Sequence, residues 1–409
     1  MGRMSAPHSS TCPDPTPTIS RSGSLSRARL RRDTPGCERV AHLNNAGASL
    51  PPAQVVARMI THLRLEEEIG GYEAAHQVAD ERAEGRELLA ALVGARAHQV
   101  ALVESATAGL HRVLSTLSLH RGDRVLVAGS EYASTVLPLL QLSRRIGLRV
   151  EFIPDGPDGA VDPTHLARML DDDVRLVSIV HAPSHNGLVN DIAAVGQTLA
   201  GSRAWFLVDA CQSFGQLPID MAGVNCDFLI ASGRKFLRGP RGSGLLAVSD
   251  RALAELDAYP VDLHGATWTS SDSFALAHTA GRFESFERSV AVELGLIAAA
   301  RYAGELSVPV LASAIGRHAE YLRCRVGAMR DWRVLDRGTQ RSGIVALQHG
   351  RLTAARGVSA LARAGVNAWE VGTPSNPRDL GDRSVLRLSP HAFNTQEELD
   401  RALNVLDEL

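Results

Sequence analysis

Lys235 is the single lysine in a chain of 409 residues that holds 43 lysines and arginines in total. It follows a strand-like apolar run at residues 228–230, and Asp209 directly follows another such run at residues 205–208. Because the carboxyl ends of parallel strands meet at one edge of a sheet, we expect the two side chains to lie close together. A Schiff-base amine and a carboxylate that pairs with a pyridinium nitrogen are what pyridoxal phosphate requires. The sequence therefore predicts a pyridoxal phosphate site.

Two further segments supply what the rest of this cofactor needs. Residues 105–109 open a helix directly after the strand-like residues 100–103, and N–H groups at a helix N-terminus bind phosphate well. Tyr132 follows the strand-like residues 124–128 and offers an aromatic face to the cofactor ring. Both segments are therefore predicted to reach the same edge of the sheet as Lys235.

These segments belong to a regular alternation of apolar strand-length runs with amphipathic helical runs, which begins near residue 42. Such alternation is typical of the α/β fold class, in which helices cover a mainly parallel sheet. The predicted strands lie at residues 100–103, 124–128, 149–153, 176–180, 205–208, 228–230 and 244–248. The predicted helices lie at residues 82–93, 108–117, 135–145, 164–170 and 192–199.

The pattern changes in the last third of the chain. Two long apolar helices, predicted at residues 290–302 and 310–329, precede short strands near Trp332, Ile344 and Val385. This order predicts a second, smaller α/β layer. The Pro, Asn, Gly and Asp content of residues 373–383 predicts a surface turn there.

The length of the chain predicts two domains, because one hydrophobic core stops growing at roughly 250 to 300 residues. The predicted division is a disordered tail at residues 1–40, an N-terminal segment packing with the small domain at residues 41–60, a large cofactor-binding domain at residues 61–290 and a small C-terminal domain at residues 291–409. The tail prediction rests on its high content of Ser, Pro, Thr and Arg.

Composition disfavours several classes of protein. A formal net charge of −2 gives no general attraction to nucleic acid, and no apolar run reaches the roughly 18 residues of a membrane span. The five cysteines form no C-x-x-C pair, which predicts free thiols, a reducing compartment and a cytoplasmic location. Cys324 is predicted to be a packing residue in an amphipathic helix.

The chain resembles the class V aminotransferase family of fold-type I pyridoxal-phosphate enzymes, to which cysteine desulfurases, isopenicillin N epimerase and several carbon–sulfur lyases belong. The resemblance runs from about residue 43 to residue 409. It rests on motifs in family order at residues 43–47, 104–109, 131–132, 209–212, 232–235 and 387–395. It implies a mainly parallel seven-stranded sheet between helices, a smaller α/β C-terminal domain, and a homodimer with each active site at the subunit interface.

The resemblance also implies roles for matched residues. Lys235 is the catalytic lysine that bonds to the cofactor, Asp209 pairs with the pyridinium nitrogen, and Gln212 contacts the phenolic oxygen. The phosphate is held by Ala106, Thr107 and Ser232. The full set of implied cofactor contacts is Ala106, Thr107, Tyr132, Ser184, Asp209, Gln212, Ser232, Arg234 and Lys235.

Three residues are predicted to contact the substrate. Arg387 matches the family arginine that binds the α-carboxylate, and its planar guanidinium suits that bidentate task. Tyr72 lies in a motif shared with one branch of the family. Arg238, together with Arg241, either adds charge near a polar or anionic substrate tail or caps the turn.

Departures from the family pattern reduce the number of reactions that the resemblance allows. Cysteine desulfurases need a mobile cysteine in the loop before the carboxylate-binding arginine, and residues 364–386 contain no cysteine. Phe286 and Glu287 replace the Gly-Thr pair with which relatives reach the neighbouring subunit's phosphate. Residues 233–244 resemble the branch that contains the ergothioneine-pathway carbon–sulfur β-lyase, as do residues 68–72 and 283–287.

The resemblance therefore favours a lyase that eliminates sulfur from a cysteine S-conjugate or its sulfoxide, as a hercynylcysteine sulfoxide lyase does, giving a thiol-type product, pyruvate and ammonia. Lys235 is the expected base. The alternatives are an aminotransferase, decarboxylating deaminase or epimerase of an amino acid in secondary metabolism, or a non-catalytic binding module. No metal site is expected, because Pro183 separates His181 from His185 and no ligand pattern follows.

Overall fold

The computed structural model describes Cys12 and residues 26–409. Its helices are α1 (Arg27–Arg32), α2 (Ala53–Ile69), α3 (Gly71–Gln77), α4 (Ala79–Ala91), α5 (Ala106–Thr116), α6 (Ala133–Ile146), α7 (Pro163–Met169), α8 (Ile192–Thr198), α9 (Met221–Val224), α10 (Asp250–Glu255), α11 (Val290–Leu306), α12 (Val308–Gly327), α13 (Ala354–Arg363), α14 (Pro377–Leu380) and α15 (Gln396–Asp407). Its strands are β1 (Ala41–His42), β2 (Val100–Val103), β3 (Arg124–Ala128), β4 (Arg149–Ile153), β5 (Val174–Val180), β6 (Trp205–Asp209), β7 (Phe228–Ser232), β8 (Gly244–Val248), β9 (Ala266–Ser270), β10 (Ser273–Leu276), β11 (Trp332–Val334), β12 (Val345–His349), β13 (Val366–Asn367), β14 (Trp369–Val371) and β15 (Val385–Leu388).

The large sheet has seven strands in the order β2–β8–β7–β6–β5–β3–β4. Within it, β8 runs antiparallel to both of its neighbours and the other pairs are parallel. The central strands are apolar along nearly their whole length because side chains on both faces of the sheet are buried. The predicted α/β fold class with a mainly parallel seven-stranded sheet is confirmed.

The C-terminal part contains a separate antiparallel sheet of four strands in the order β11–β12–β15–β14. Helices α12, α13 and α15 pack against it, with Leu322, Leu361 and Leu403 fully buried between them. The short strand β13 lies outside this sheet and pairs in parallel with β1. The β1–β13 pair joins the N-terminal segment to the C-terminal layer. The predicted domain boundaries stay predictions.

The segment at residues 373–383 differs from the predicted surface turn. It contains a short 3₁₀ turn and α14, and the side chain of Asn376 is buried. Its amide donates hydrogen bonds to the carbonyls of Gly129 and Glu131, at 3.0 and 2.9 Å. Composition alone could not reveal these contacts, because the partners lie in another part of the chain.

The predicted disordered tail at residues 1–40 is wrong for its last part. Residues 26–40 form α1 and a 3₁₀ turn, with Leu30 and Cys37 buried in the main core. Arg31 pairs with Glu398 at 2.7 Å. Two buried apolar residues and the ion pairs of Arg29 with Glu305 and Arg31 with Glu398 anchor this segment, and such sparse anchors do not change its polar composition. Apart from Cys12, the rest of the predicted tail lies outside the described residues.

The cysteines also depart from the prediction of free thiols. Cys12 and Cys324 form a disulfide with their Cα atoms 5.7 Å apart, although 312 positions separate them in the sequence. Cys324 is therefore not simply a packing residue of α12. Spacing cannot reveal such a long-range pair. Because disulfides persist mainly in oxidising compartments, the cysteine content no longer supports the cytoplasmic location, which stays a prediction.

Among the described residues, no single helix is long and apolar enough to span a membrane. Helices α11 and α12 pass that test only as a pair, which is bent by 81°. The bend lies at Ser307, whose φ of 67° is in the left-handed region.

We expect peptide mapping of the unreduced protein to find Cys12 joined to Cys324, with Cys37, Cys211 and Cys226 as free thiols. The substitution Cys324→Ser should lower the free energy of unfolding by about 2–4 kcal/mol, because a cross-link restricts the unfolded chain. The measurement is denaturant unfolding with and without reductant. Quantitative alkylation of Cys324 before reduction would contradict the disulfide.

Candidate active site

A cleft opens at the carboxyl edge of the large sheet. Its walls come from the residues that follow β2, β3, β5, β6 and β7, as expected for a parallel sheet. Predicted site residues that line it are Ala106, Thr107, Tyr132, Ser184, Asp209, Gln212, Ser232, Arg234 and Lys235. The structure thus brings together the whole predicted cofactor-binding set.

Lys235 lies three residues after the end of β7 and is half-buried at the cleft. Burial lowers the pKa of Lys235, and the positive charges of Arg234 and Arg387 act in the same direction. The carboxylate of Asp209 opposes this effect. A lowered pKa increases the fraction of neutral amine, which is the nucleophilic form that attacks an aldehyde.

Asp209 is the last residue of β6 and lies in register with Ile230 on β7. Its Oδ1 accepts a hydrogen bond from the backbone N–H of Cys211 at 2.8 Å. Gln212, one turn further on, donates from Nε2 to the carbonyl of Ala46 at 3.1 Å, while its buried Oε1 has no partner among the described residues. The carboxylate and this amide oxygen are therefore available at the cleft.

Helix α5 points its N-terminus at the cleft. Ser105 caps it by accepting a hydrogen bond from the N–H of Ala108 at 3.1 Å, and the other N–H groups of a first turn have no partner within the helix. Gly244 lies against this turn, since a Cβ there would come within 2.9 Å of the carbonyl carbon of Ser105. Ala106 and Thr107 thus present N–H groups suited to a phosphate.

Arg387 lies on β15 and lines the cleft together with Lys235. It donates to the carbonyl of Ser184 at 2.9 Å and to Oδ1 of Asn44 at 3.1 Å. Its buried Nε has no partner among the described residues, and burial lowers its pKa to about 10. A guanidinium held by two neutral oxygens keeps its charge available for a carboxylate.

A second buried acid, Glu131, lies beside the site. It accepts hydrogen bonds from the hydroxyl of Ser178 at 3.1 Å and from the N–H of Tyr132 at 3.2 Å. Burial raises the pKa of Glu131 to about 8, and the negative charge of Asp209 adds to the effect. The uncharged carboxyl form of Glu131 is therefore favoured near neutral pH.

Two predicted substrate contacts do not lie in the cleft of the same chain. Tyr72 is 76% exposed on α3 and lines no part of the cleft. Arg238 is buried, donates to the carbonyl of Leu50 at 2.9 Å and stacks over Phe393 at 4.9 Å. Its backbone φ of 70° is in the left-handed region. The prediction of substrate contact for Arg238 is therefore wrong, since its guanidinium packs inside the protein.

Sequence reasoning gave no role to Asn44 and Trp369, which line the outer part of the cleft beside Arg387. Asn44 lies in the first matched motif. Trp369 lies between Ala364 and Leu386, a segment that contains no cysteine. Trp369 and Val371 are apolar and flank the polar Glu370, and such alternation indicates a strand with one covered face. This pattern is the sequence signal that could have identified Trp369.

The cleft fits pyridoxal phosphate on the structure's own evidence. It holds a half-buried lysine, a carboxylate at a strand end, a helix N-terminus, and two buried polar atoms without partners, Oε1 of Gln212 and Nε of Arg387. Tyr132, which is 40% exposed, offers the aromatic face. Together with the seven-stranded sheet, these groups define a fold-type I pyridoxal-phosphate enzyme.

The Aminotransferase class-V family model matches residues 41–402, and the chain belongs to this family. A probable cysteine desulfurase of Methanothermobacter thermautotrophicus is 28% identical over 284 residues, which cover 68% of this chain and 70% of that protein. A cysteine desulfurase of Escherichia coli is 26% identical over 410 residues, which cover 93% and 97%. The predicted family and cofactor are confirmed.

Solved structures show the same fold. The apo cysteine desulfurase from Thermococcus onnurineus aligns with a TM-score of 0.86 and 22% identity, covering 96% of this chain and 99% of that one. The cystine C-S lyase C-DES, solved with its reaction product cysteine persulfide, aligns with a TM-score of 0.84 and 21% identity, covering 92% and 99%. The chain therefore shares the fold of these proteins.

Lys235→Arg should reduce turnover by about a thousandfold or more, because arginine keeps the charge but cannot bond to the cofactor aldehyde or act as the base. The visible absorbance of the bound cofactor should be lost while the thermal unfolding curve stays close to wild type. Arg203→Lys is the matched control, since Arg203 is exposed just before β6, at the opposite edge of the sheet. A fully active Lys235→Arg enzyme would overturn the assignment.

Glu131 should make the protein less stable as the pH rises. Its folded pKa of about 8 lies above the ordinary glutamate value of 4.5, so its stabilising proton is fully bound below about pH 4.5 and is lost as the pH rises through about 8. In cofactor-free protein, Glu131→Gln should remove a fall in unfolding free energy on the order of a few kcal/mol between these values. The measurement is urea unfolding across this range, with the exposed Glu84→Gln as control. Identical pH profiles for wild type and Glu131→Gln would contradict the prediction.

Proposed function

We propose that the protein is a carbon–sulfur β-lyase that acts on a cysteine S-conjugate or its sulfoxide. The α-proton is removed, the Cβ–S bond breaks with its electron pair leaving on sulfur, and hydrolysis of the three-carbon fragment gives pyruvate and ammonium. A thioether releases a thiol, and a sulfoxide releases a sulfenic acid. The electrons balance without an added oxidant or reductant.

One observation carries the proposal most directly. Lys235 and Arg387 line one cleft, so a substrate whose carboxylate is bound by Arg387 places its α-carbon near an amine of lowered pKa. When bound, pyridoxal phosphate stabilises the negative charge that develops at the α-carbon. The neutral amine of Lys235 then accepts the α-proton, and the buried surroundings exclude bulk water.

Other residues of the chain position these two. Asp209 and the N-terminus of α5 would hold the cofactor, and Tyr132 would supply an aromatic contact to its ring. The side chain of Asn44 and the carbonyl of Ser184 fix the guanidinium of Arg387 through their hydrogen bonds. The carboxylate of the substrate thereby meets a preorganised cation, which fixes the α-proton relative to Lys235.

The relatives named cysteine desulfurases favour a second function, in which a cysteine of the enzyme accepts the sulfur. Among the described residues, Cys211 is the cysteine that lines the cleft. Burial raises the pKa of its thiol, and its backbone N–H is held by Asp209. Sulfur transfer needs a reactive thiolate, so the environment of Cys211 does not support this role. The segment at residues 364–386, where such a cysteine is expected, has none.

Aminotransferase, decarboxylating deaminase and epimerase activities remain alternatives on the same residues, because each begins with a substrate carboxylate at Arg387 and a base at Lys235. A homodimer and a cytoplasmic location belong to the same proposal. Exposed apolar side chains on α2 and on the β9–β10 hairpin support a homodimer; they are Val56, Ile60, Leu63, Trp268 and Phe274.

The products distinguish these functions. With S-ethylcysteine or its sulfoxide, the purified enzyme should release pyruvate and ammonium in equal amounts, because elimination splits the substrate at the Cβ–S bond. With free cysteine it should release little alanine. Pyruvate is measured by a coupled dehydrogenase assay, and alanine and sulfur-containing 2-oxo acids by mass spectrometry.

Each other product overturns the proposal in its own way. Alanine with persulfide from cysteine indicates a desulfurase. A 2-oxo acid that retains sulfur indicates transamination or oxidative deamination. Loss of optical activity without pyruvate indicates epimerisation. The Lys235→Arg enzyme is the blank in each assay.

A further inference from the structure

We propose that His391 is a positioning residue, whose ring N–H holds the lysine loop (residues 233–239) so that the amine of Lys235 keeps a fixed place relative to Arg387. The inference rests on the proposed function in one respect, that Lys235 is the base and Arg387 binds the substrate carboxylate. His391 lies between β15 and α15, is 1% exposed and does not line the cleft. It therefore acts through the backbone rather than by touching a ligand.

The backbone on either side of Lys235 is held by hydrogen bonds from distant segments. The carbonyl of Arg234 accepts from the backbone N–H of Ser49 at 2.9 Å. The carbonyl of Phe236 lies 3.1 Å from Nε2 of His391. A carbonyl oxygen can only accept a hydrogen bond, so Nε2 carries the ring proton and donates it. Lys235 thus lies between two fixed carbonyls, and a side chain holds the second one.

The ring of His391 is itself held in place. It stacks on Phe236, with the centroids 6.2 Å apart, and on Phe393, with the centroids 5.0 Å apart. Its backbone N–H donates to Oδ1 of Asn394 at 2.8 Å, and its carbonyl lies 3.0 Å from Nδ1 of His318. A side chain whose ring and backbone are both fixed can direct its N–H at one acceptor.

The surroundings of His391 favour the uncharged ring. Burial lowers its pKa well below the usual value, and the positive charge of Arg238 acts in the same direction. The buried Nδ1 of His391 has no partner among the described residues, so a proton there would have no acceptor. The ring therefore keeps a single N–H, on Nε2, and the hydrogen bond to the lysine loop persists near neutral pH.

The segment that carries His391 also carries Arg387. Between these two residues, the N–H of Ser389 donates to the carbonyl of Leu43 at 2.7 Å, and its hydroxyl oxygen accepts from the N–H of Ala46 at 3.0 Å. Because this short segment is fixed, the lysine loop and the guanidinium of Arg387 are tied to one support. A base displaced by about 1 Å from its productive position loses on the order of a hundredfold in rate.

A histidine that only fills the core would make the same ring contacts, so the test separates the hydrogen bond from the stacking. His391→Phe keeps a ring between Phe236 and Phe393 but removes the N–H. His391→Gln places an amide N–H near the position of Nε2, whereas the shorter His391→Asn does not reach the loop. Trp332→Phe is the matched control, since the indole of Trp332 donates to the carbonyl of Leu406 at 2.9 Å inside the C-terminal layer.

The single lysine of the chain makes its amine easy to follow. In cofactor-free protein, trinitrobenzenesulfonate labelling of Lys235 is measured against pH by peptide mapping. His391→Phe and His391→Asn should move the midpoint of this curve upward, because an amine that is no longer held in place gains contact with water. His391→Gln should restore the wild-type midpoint, and Trp332→Phe should leave it unchanged while lowering the free energy of unfolding.

Turnover gives the second readout. With S-ethylcysteine and bound cofactor, kcat should fall about ten- to a hundredfold in His391→Phe and His391→Asn. KM should change less than about twofold, because Arg387 keeps its own hydrogen bonds to Ser184 and Asn44. His391→Gln should recover most of kcat.

The outcomes separate this inference from the β-lyase function. An unchanged midpoint and an unchanged kcat in His391→Phe and His391→Asn, with stability lowered as in Trp332→Phe, would show that His391 only packs the core. Failure of all three His391 variants to fold, while Trp332→Phe folds, would overturn the inference as well. A shifted midpoint without pyruvate from any conjugate overturns the β-lyase function and still supports the positioning role.

Discussion

The parallel pairing of β6 with β7 is the constraint on which the site depends, because it brings Asp209 and Lys235 to one edge of the sheet. A buried ammonium is costly unless a negative charge or a lowered pKa compensates for it. Here the carboxylate of Asp209 favours the charged form, while burial, Arg234 and Arg387 favour the neutral amine. The reactivity of Lys235 therefore follows from the register of two strands rather than from any local feature of its own loop.

The C-terminal layer completes the site through hydrogen bonds between distant segments. Arg387 holds the carbonyl of Ser184, and Asn376 holds the loop that carries Tyr132. His185 contacts Asp379 of α14 at 2.6 Å, beside the same Ser184. These contacts fix two cofactor-facing loops against the segment before β15. A displacement of this segment would therefore shift both Tyr132 and the guanidinium of Arg387.

The structure also shows that the arginines have different surroundings and therefore different roles. They look alike in composition, yet Arg238 is enclosed beneath Phe393, Arg387 is held by two neutral oxygens, and Arg241 is exposed at the cleft mouth. Burial and partners decide which guanidinium stabilises the fold and which one meets a ligand. The same holds for the acids, since Asp209 lines the cleft while Glu131 is buried beside it with a raised pKa.

The sequence by itself determined the α/β alternation and the C-terminal layer, and it predicted the residues that line one cleft around Lys235 and Asp209. Periodicity and the residues that follow strands are local signals, and parallel strands place their ends at one edge. Only the tertiary structure decided the Cys12–Cys324 pair, the burial of Arg238 and the position of Trp369 beside Arg387. These features depend on which distant segments meet and in what register, and packing of the whole chain fixes both.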